Sequence, residues 1–455
     1  MTANYHIITD KQLNNNTMKS ITVSLIILGT TIFLGCSQEK IIELPLTTQI
    51  GYGPFMSAVG GISPFSEDEN NPWAKTYLKV VEGPTGLTDI KYGDIETNIH
   101  QSVYQDYLLG NITKERYEDL QKSWDWKPDT LSLSKAPIKT KIAFAYGKDS
   151  NGVTKMVVDA NNNLDLSDDK AFIPFDMLSN ASSNKDSIAQ VHAIAVSVET
   201  FIHNKIVPIT APLFVVYHSQ VNLFMCNFSQ HATTQYKGEN IAVCSGQFTN
   251  LSYENADITL LNADMKEDGK AKEENVILKN EYIEIKGEIY KNVGVNTNKN
   301  VLVLEKAVLP KTQLVSTQVG YKSYPFSGEE YNTKSPISLE SLRGKYVLLD
   351  FWAVWCSPCI QEFPNLKELY AKVDTSKFEI VGIVGDSPEE ALPEMINRHQ
   401  ITWPQILSDE VNKIKEKYGI HSYPTSLLLD TEGVIIAKNL RGEGLSDRVL
   451  KLIEK

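Results

Sequence analysis

Residues 347–364 read VLLDFWAVWCSPCIQEFP, and this stretch decides the fold of the C-terminal part of the chain. Val347–Trp352 is apolar and aromatic with a single acid, which predicts a buried strand. Pro358 lies where the first turn of a helix tolerates a missing N–H group. Apolar residues then recur at helical spacing, at Phe363, Leu366, Leu369, Tyr370 and Val373. The stretch therefore predicts a strand, a short turn and a helix whose N-terminus lies at Cys356.

Cys356 and Cys359 form a Cys-x-x-Cys motif suited to thiol–disulfide exchange. Unpaired N–H groups and the helix dipole stabilise a thiolate at a helix N-terminus, so Cys356 is the predicted nucleophile. Cys359 lies one turn further on and can close a disulfide after the attack, which makes it the predicted resolving thiol. We expect Cys356 to be exposed at the turn and Cys359 to be shielded. The alternative, half of a zinc site, needs two more ligands at matching spacing, and the sequence shows none.

The motifs DFWA and WCSPC, followed by QEFP, resemble the thioredoxin superfamily, and within it the TlpA/ResA-like thiol-disulfide oxidoreductases with an AhpC/TSA-redoxin-like domain. The resemblance covers about Val315 to Lys455. It implies an α/β thioredoxin-like domain with a mixed central sheet flanked by helices, and no cofactor beyond the redox-active disulfide. It also implies that Pro424, between Tyr423 and Thr425, is a cis-proline whose loop holds the substrate chain. Trp355 is expected to form an apolar platform beside the disulfide.

Two acids are candidates for moving the proton of Cys359. By resemblance, Asp350 matches the buried acid of thioredoxin, and Glu362 matches the glutamate of the TlpA/ResA-like family. A carboxyl group in an apolar setting has a raised pKa and can accept a proton near neutrality. The alternatives are a strand-end residue for Asp350 and an exposed helix acid for Glu362.

Three functions are open at this point. The resemblance implies a reductase of disulfides in exported proteins, with a membrane thiol carrier as electron donor, although the direction depends on how far the thiolate is stabilised. A thiol peroxidase is disfavoured because the Pro-x-x-x-Thr-x-x-Cys motif of peroxide-reducing relatives is absent ahead of Cys356. The third interpretation is an envelope-anchored binding or scaffold lipoprotein that uses the thioredoxin-like module for tethering.

The chain has 455 residues, which is too long for one ordinary domain. Its net charge of −12, without a basic cluster, argues against nucleic-acid binding. We predict a signal peptide over 1–35, a tether over 36–46, a β-rich region of one or two domains over 47–310, and a thioredoxin-like domain over 311–455. Within these regions we expect a helix at Thr113–Trp124, capped by Asn111 or Thr113, and a helix capped by Ser387 that runs to about His399.

The N-terminal sequence predicts export. Met18, an alternative start, and Lys19 precede the apolar run Ile21–Leu34, which is too short for a membrane span and typical of a signal peptide. The run ends at Gly35-Cys36, which resembles a bacterial lipoprotein cleavage box and implies a lipid on Cys36. Ser37 replaces the Asp that often retains lipoproteins in the inner membrane. We therefore expect a lipid-anchored, periplasm-facing envelope protein, with the outer membrane favoured. The alternative to lipidation at Cys36 is an uncleaved anchor or a chance cysteine.

Two further predictions concern the β-rich region. Cys226 and Cys244 remain after Cys36 and the redox pair are set aside, and an exported chain meets an oxidising compartment. They are a candidate structural disulfide, with two buried thiols as the alternative. Oxygen-bearing side chains also alternate in one loop in the manner of an EF-hand-like calcium loop, with an Asx-rich turn as the alternative. The candidate calcium ligands are Asp159, Asn161, Asn163, Asp165 and Asp169.

Overall fold

The computed structural model describes residues 41–68, 70–124, 126–178, 185–420 and 422–453. The predicted signal peptide, the predicted lipidation site Cys36 and the first part of the predicted tether lie outside these residues. No helix within the described ranges is long and apolar enough to span a membrane.

The part of the chain before residue 311 is mainly β-structure, as predicted. Its strands are β1 Ile41–Pro45, β2 Thr47–Ile50, β3 Gly60–Ile62, β4 Thr88–Glu96, β5 Lys141–Lys148, β6 Thr154–Val158, β7 Phe175–Asp176, β8 Ile194–Ile202, β9 Lys205–His218, β10 Leu223–Phe228, β11 Gln230–Tyr236, β12 Glu239–Ser245, β13 Ala256–Leu260, β14 Tyr282–Ile285, β15 Glu288–Asn296 and β16 Val301–Lys306. Its helices are α1 Ile99–Leu108, α2 Lys114–Ser123 and α3 Lys185–His192.

These strands pair into layered sheets. The sheet β1-β16-β15-β14 shares a core with the sheet β13-β12-β11-β2, where Leu44 packs in the same cluster as Ile241. The sheet β4-β5-β6 shares a second core with the sheet β3-β10-β9-β7, to which β8 is added through β9, and Phe144 and Leu213 belong to this core. Two-layer packing is expected because each sheet has one apolar face to bury.

The tether prediction is wrong for residues 41–45. Ile42 and Leu44 are buried and alternate with exposed residues, and β1 pairs antiparallel with β16, so that Ile42 lies opposite Leu304. Alternation of buried and exposed side chains is the pattern of a half-buried strand. The segment is therefore part of the β-rich region.

One of the three α-helices that the structure describes in this region was predicted. Helix α2 is confirmed, and its cap is Thr113, whose side chain accepts a hydrogen bond from the Arg116 amide at 3.2 Å. Helices α1 and α3 were not predicted. The cap of α1 is Asn98, whose side chain accepts from the Gln101 amide at 3.1 Å.

The C-terminal part has the predicted thioredoxin-like architecture. Its strands are β17 Ser327–Glu329, β18 Pro336–Ser338, β19 Tyr346–Trp352, β20 Phe378–Val384, β21 Gln405–Leu407, β22 Thr425–Leu429 and β23 Ile435–Lys438. Its helices are α4 Ser357–Lys372, α5 Leu392–His399, α6 Ile414–Lys417 and α7 Leu445–Ile453. The central sheet has the order β21-β20-β19-β22-β23, with β19 to β21 parallel and β22 and β23 antiparallel to their neighbours. It is a mixed sheet flanked by helices.

Strand β19 lies at the centre of this sheet and separates two cores. Leu349 and Phe351 pack on one face with residues of α6, and Leu348 and Trp352 pack on the other face with α4 and α7. Because side chains alternate along a strand, Asp350 falls on the face that carries α4 and the cysteines. The apolar run therefore directs one carboxyl group toward the redox turn.

Candidate active site

The redox turn joins β19 to α4. Cys356 is the N-cap residue of α4, and its Sγ accepts a hydrogen bond from the Cys359 amide at 3.2 Å. The Cys356 amide donates to the Ala353 carbonyl at 3.0 Å, which closes the turn. Cys356 and Cys359 are joined by a disulfide, with their Cα atoms 5.3 Å apart.

The predicted difference in exposure between the two cysteines is not present in this oxidised structure. Cys356 is 3% exposed and Cys359 is 2% exposed. The reason is that both sulfur atoms belong to the apolar cluster that also contains Trp352 and Phe363. The asymmetry between the cysteines comes instead from the helix, because Cys356 is its N-cap residue and the Cys359 amide donates to the Cys356 sulfur.

The cis-proline loop lies beside the redox turn. The Tyr423–Pro424 peptide bond is cis, which is the geometry that the family resemblance implied. The rings of Trp355 and Tyr423 are in edge-to-face contact, with centroids 5.9 Å apart. Trp355 is 63% exposed, so the aromatic surface next to Cys356 is open to a partner. Thr425 follows the cis-proline and is the first residue of β22. The structure thus brings the predicted substrate-binding residues together at one edge of the sheet.

Asp386 connects the two halves of this aromatic surface and was not identified from the sequence. Its carbonyl accepts from the Trp355 indole at 2.7 Å, and its carboxylate accepts from the Tyr423 hydroxyl at 3.0 Å. The Lys415 ammonium group lies 2.6 Å from the same carboxylate and lowers the pKa of Asp386. The only sequence signal was its position directly after β20, at the strand end beside the redox turn.

The residues on either side of Asp386 also serve the site. A Cβ atom on Gly385 would lie 2.1 Å from the Tyr423 hydroxyl, so only glycine permits this close approach. The Ser387 hydroxyl accepts from the Val354 amide at 3.1 Å and donates to the Gly385 carbonyl at 2.8 Å. The prediction that Ser387 caps the following helix is wrong, because its hydroxyl holds the redox turn and α5 begins only at Leu392.

Asp350 is a buried acid on the face of the sheet that carries the cysteines. Its side chain lies on the α4 face of β19, and burial raises the pKa of Asp350 to about 7, with a smaller contribution from the negative charge of Glu362. Desolvation disfavours the charged form, which is why the carboxyl group holds its proton up to neutral pH. An acid with this pKa can exchange a proton with a thiol near pH 7. The alternative of a merely solvated strand-end residue does not fit this burial.

Glu362 is half-buried and bonded across the domain. Its carboxylate oxygens accept from the Gly442 amide at 2.8 and 2.9 Å, and one of them accepts from the Asn365 side chain at 3.2 Å. These contacts hold the carboxylate in place near Asp350 and differ from those of a freely solvated helix acid. Glu362 therefore adds a fixed negative charge that contributes to the raised pKa of Asp350.

The predicted structural disulfide is wrong in this structure. Cys226 lies on β10 and Cys244 on β12, which belong to different sheets, and no disulfide joins them. Both side chains are buried, and burial raises the pKa of Cys226 to about 12. The alternative of two buried thiols describes them correctly.

The predicted calcium loop forms an Asx-rich turn. Carboxylate and amide oxygens of Asp159, Asn163, Asp165 and Asp169 accept hydrogen bonds from the loop's own backbone amides, and the Asn161 side chain donates to a neighbouring carboxylate. Within the described ranges, no group of three or more His, Cys, Asp or Glu side chains is arranged to hold a metal ion. The alternative of a turn satisfied by its own backbone is the one that these contacts support.

Comparison with known proteins identifies relatives of the C-terminal part. Residues 319–438 match the AhpC/TSA family. The thiol-disulfide oxidoreductase ResA of Bacillus anthracis is 31% identical over 138 residues, which are 30% of this chain and 78% of that protein. The thioredoxin-like protein YneN of Bacillus subtilis is 36% identical over 124 residues, which are 27% of this chain and 71% of that protein.

Among solved structures, the thioredoxin domain of a thiol-disulfide oxidoreductase from Bacteroides vulgatus is 35% identical and covers 30% of this chain and 97% of that one, with a TM-score of 0.28. Most of the chain lies outside each of these matches.

Proposed function

Because this chain belongs to the family of thiol-disulfide oxidoreductases that includes ResA, we propose that it reduces disulfides of exported proteins in the cell envelope through Cys356 and Cys359. The single observation that carries the proposal is the position of Cys356 at the N-terminus of α4, with the Cys359 amide directed at its sulfur atom. Amide donors at a helix N-terminus stabilise a thiolate, and the thiolate is the attacking form.

The reaction begins from the reduced protein. The Cys356 thiolate attacks one sulfur of the client disulfide, the client S–S bond breaks, and the other client sulfur leaves as a thiolate that takes up a proton. The Cys359 thiol then loses its proton and attacks the Cys356 sulfur. This step releases the second client thiol and forms the Cys356–Cys359 disulfide seen in the structure. Two electrons have passed from the enzyme to the client.

Asp350 accepts the proton of Cys359 in the second step. Its pKa of about 7 leaves a large ionised fraction at neutral pH, and its position on the α4 face of β19 puts it on the side of the sheet where Cys359 is buried. The charge on Glu362 favours a proton on Asp350. Together the two acids supply a proton acceptor inside an apolar cluster from which bulk water is largely excluded.

The client chain is received by the aromatic surface formed by Trp355 and Tyr423, next to cis-Pro424. Asp386 holds both rings in place, because its carbonyl accepts a hydrogen bond from Trp355 and its carboxylate accepts one from Tyr423. An exposed tryptophan beside a buried disulfide supplies apolar contact area for an extended polypeptide.

Each cycle ends with an oxidised enzyme, so a dithiol donor must return two electrons. A membrane thiol carrier is the chemical class that fits an envelope protein, and lipid attachment at Cys36 would hold the enzyme at a membrane surface. The anchor, the periplasm-facing location and the preference for the outer membrane are parts of this proposal. They depend on the sequence of the first 37 residues.

The test is reduction of insulin disulfides with dithiothreitol as electron source, followed as turbidity. We expect the wild-type chain to accelerate the reaction and Cys356→Ser to abolish the acceleration. Cys226→Ala is the matched control, because it removes a buried thiol far from α4 in the fold, and it should leave the rate unchanged. Equal rates for wild type and Cys356→Ser would favour a binding or scaffold protein instead.

Further measurements establish the direction of electron transfer and identify the client protein. Equilibration with glutathione gives the reduction potential, and a value of about −120 mV, typical of a strong disulfide oxidant, would contradict the reductase assignment. A Cys359→Ser variant cannot resolve the mixed disulfide, so it should retain its client covalently for identification by mass spectrometry. Peroxide-dependent turnover that stops with Cys356→Ser would show a peroxidase.

A further inference from the structure

The β-rich region contains a cleft of about 990 Å³ that is separate from the redox site. Its lining comes from residues between Glu43 and Val303, so no residue of the thioredoxin-like part contributes to it. A volume of this size is at the upper end of the range for small-molecule and cofactor sites. The cleft has no role in the thiol–disulfide exchange described above.

One part of the cleft is an aromatic wall. His100 and Trp126 are stacked with ring centroids 4.4 Å apart and planes within 5° of parallel, and Trp124 lies against both rings. Trp124 is 37% exposed, so part of its ring is open to solvent. The His100 ring is held in place by its pairing with Glu254. Two tryptophans fixed in this manner form a rigid apolar surface inside a polar cleft.

The rest of the lining is polar and shaped by a β-bulge. The pairing of β15 with β16 shifts register between Asn292 and Gly294, and Gly294 has a φ of 103°. A Cβ atom at Gly294 would lie 3.1 Å from the Glu254 carbonyl, so glycine allows the strand to pass close to this loop. Bulges of this kind often occur next to binding sites, because they redirect side chains.

Charge and hydrogen-bonding groups indicate the kind of ligand. Asn98, Asn250, Asn255 and Asn296 line the cleft. The Oδ1 atoms of Asn98, Asn255 and Asn296 already accept hydrogen bonds from the Gln101 amide, the Lys279 ammonium group and the Lys299 amide, so the NH2 groups of these side chains are the donors that can face a ligand. The lining carries three carboxylates, Glu43, Asp129 and Glu254, and two ammonium groups, Lys127 and Lys279, and Glu43 also pairs with Lys299 at 2.6 Å. The cleft therefore has no strong preference for an ion of either sign.

We propose that this cleft binds an uncharged oligosaccharide. A pyranose ring has an apolar face whose C–H groups carry partial positive charge, which complements the negative face of an indole ring. Its rim of hydroxyl groups donates and accepts hydrogen bonds, as the amides do. Trp124 supplies the open stacking surface, and Trp126 and His100 hold it in position. The NH2 groups of Asn98, Asn255 and Asn296 donate hydrogen bonds to the hydroxyl groups.

The experiment uses the complete oxidised chain on an array of neutral and acidic glycans, followed by calorimetry with the neutral glycan that binds best. We expect the wild-type chain to bind neutral glycans. The affinity of Trp124→Ala should be lower by at least about tenfold, because the loss of an aromatic contact weakens binding by that factor. Trp126→Phe keeps the packing of the wall and should weaken binding less. Trp355→Ala is the matched control, since it removes a tryptophan from the redox site and should leave glycan affinity unchanged.

The activity assay separates this proposal from the proposed function. Trp124→Ala should reduce insulin at the wild-type rate, because the cleft takes no part in the exchange. Absence of neutral glycans among the bound probes, binding confined to acidic glycans, or equal affinities of Trp124→Ala and wild type would each overturn the proposal. So would displacement of the glycan by an extended, reduced and alkylated polypeptide, because the cleft would then be a client site.

Discussion

Replacement of Asp350 by Asn should change how the stability of the thioredoxin-like domain depends on pH. The pKa of Asp350 is raised from 3.8 to about 7 in the folded protein. Between these values the folded state binds more protons than the unfolded state, so stability falls as pH rises from about 4 through 7. Each unit of pKa difference between the folded and unfolded states corresponds to about 1.4 kcal/mol, so the free energy of unfolding is lower by about 4 kcal/mol above pH 7. The Asp350→Asn variant has no titrating carboxyl group at this position, so its stability should not fall in this way.

The assay is hydrogen exchange measured by mass spectrometry on the complete oxidised chain, in which Cys356 and Cys359 do not titrate. The free energy of opening of β19 and β20 should be similar for wild type and Asp350→Asn below about pH 3.8, and at pH 5 the variant should be more stable by about 1.6 kcal/mol. At pH 8 the variant should be more stable by up to about 4 kcal/mol. Comparison at equal pH removes the intrinsic pH dependence of exchange.

Asp257→Asn is the matched control. Burial, with a contribution from Glu281, also raises the pKa of Asp257 to about 7, but this residue lies on β13 in the β-rich region. Its replacement should stabilise β12 and β13 at pH 8 and leave β19 unchanged. If Asp350→Asn and wild type differ by the same free energy at pH 5 and pH 8, Asp350 is not the buried proton acceptor of this site. The same conclusion follows if the variant is less stable at pH 8.

Three further changes test the aromatic surface. Gly385→Ala places a methyl group where the Tyr423 hydroxyl lies, so we expect displacement of the cis-proline loop and at least about a tenfold lower rate of insulin reduction, with a native circular dichroism spectrum. Asp386→Asn weakens the bonds to Lys415 and Tyr423, so KM for a peptide disulfide should rise more than kcat falls, as steady-state kinetics would show. Trp355→Ala should raise KM for peptide disulfides but leave the rate with a small linear disulfide such as 2-hydroxyethyl disulfide nearly unchanged. An equal loss with both substrates would show that Trp355 acts on the cysteines and not on the client.

The redox turn could be predicted because its determinants are local. An apolar run, a proline in the first helical turn and residues at helical spacing together specify β19 and α4, and the chemistry of Cys356 follows from its position between them. The cap at Thr113 was predictable for the same reason. Each of these features depends on residues within a few positions of one another.

The features that were missed depend on contacts between distant parts of the chain. Helix α1 buries the polar side chains of Gln101 and Ser102, which bond to Ser134 and Thr140, so it lacks the apolar stripe that identifies a helix in a sequence. Strand β1 is specified by its pairing with β16, at the other end of the β-rich region.

The Asp386 contacts have the same origin. They require β20, the redox turn and the cis-proline loop to meet at one edge of the sheet. For the same reason Ser387, which has the sequence of a helix cap, bonds instead to the Val354 amide. Local propensity does not contain this information.

The most direct test of the central claim is the pH dependence of alkylation at Cys356 in the reduced Cys359→Ser chain, followed peptide by peptide. We expect the Cys356 thiol to ionise at about pH 7.5 or below in the folded chain, and near 8.5 after unfolding in urea. Cys226 is an internal control, because burial raises its pKa to about 12 and it should stay unmodified in the folded chain. A Cys356 thiol that ionises near 8.5 in both states would contradict the account.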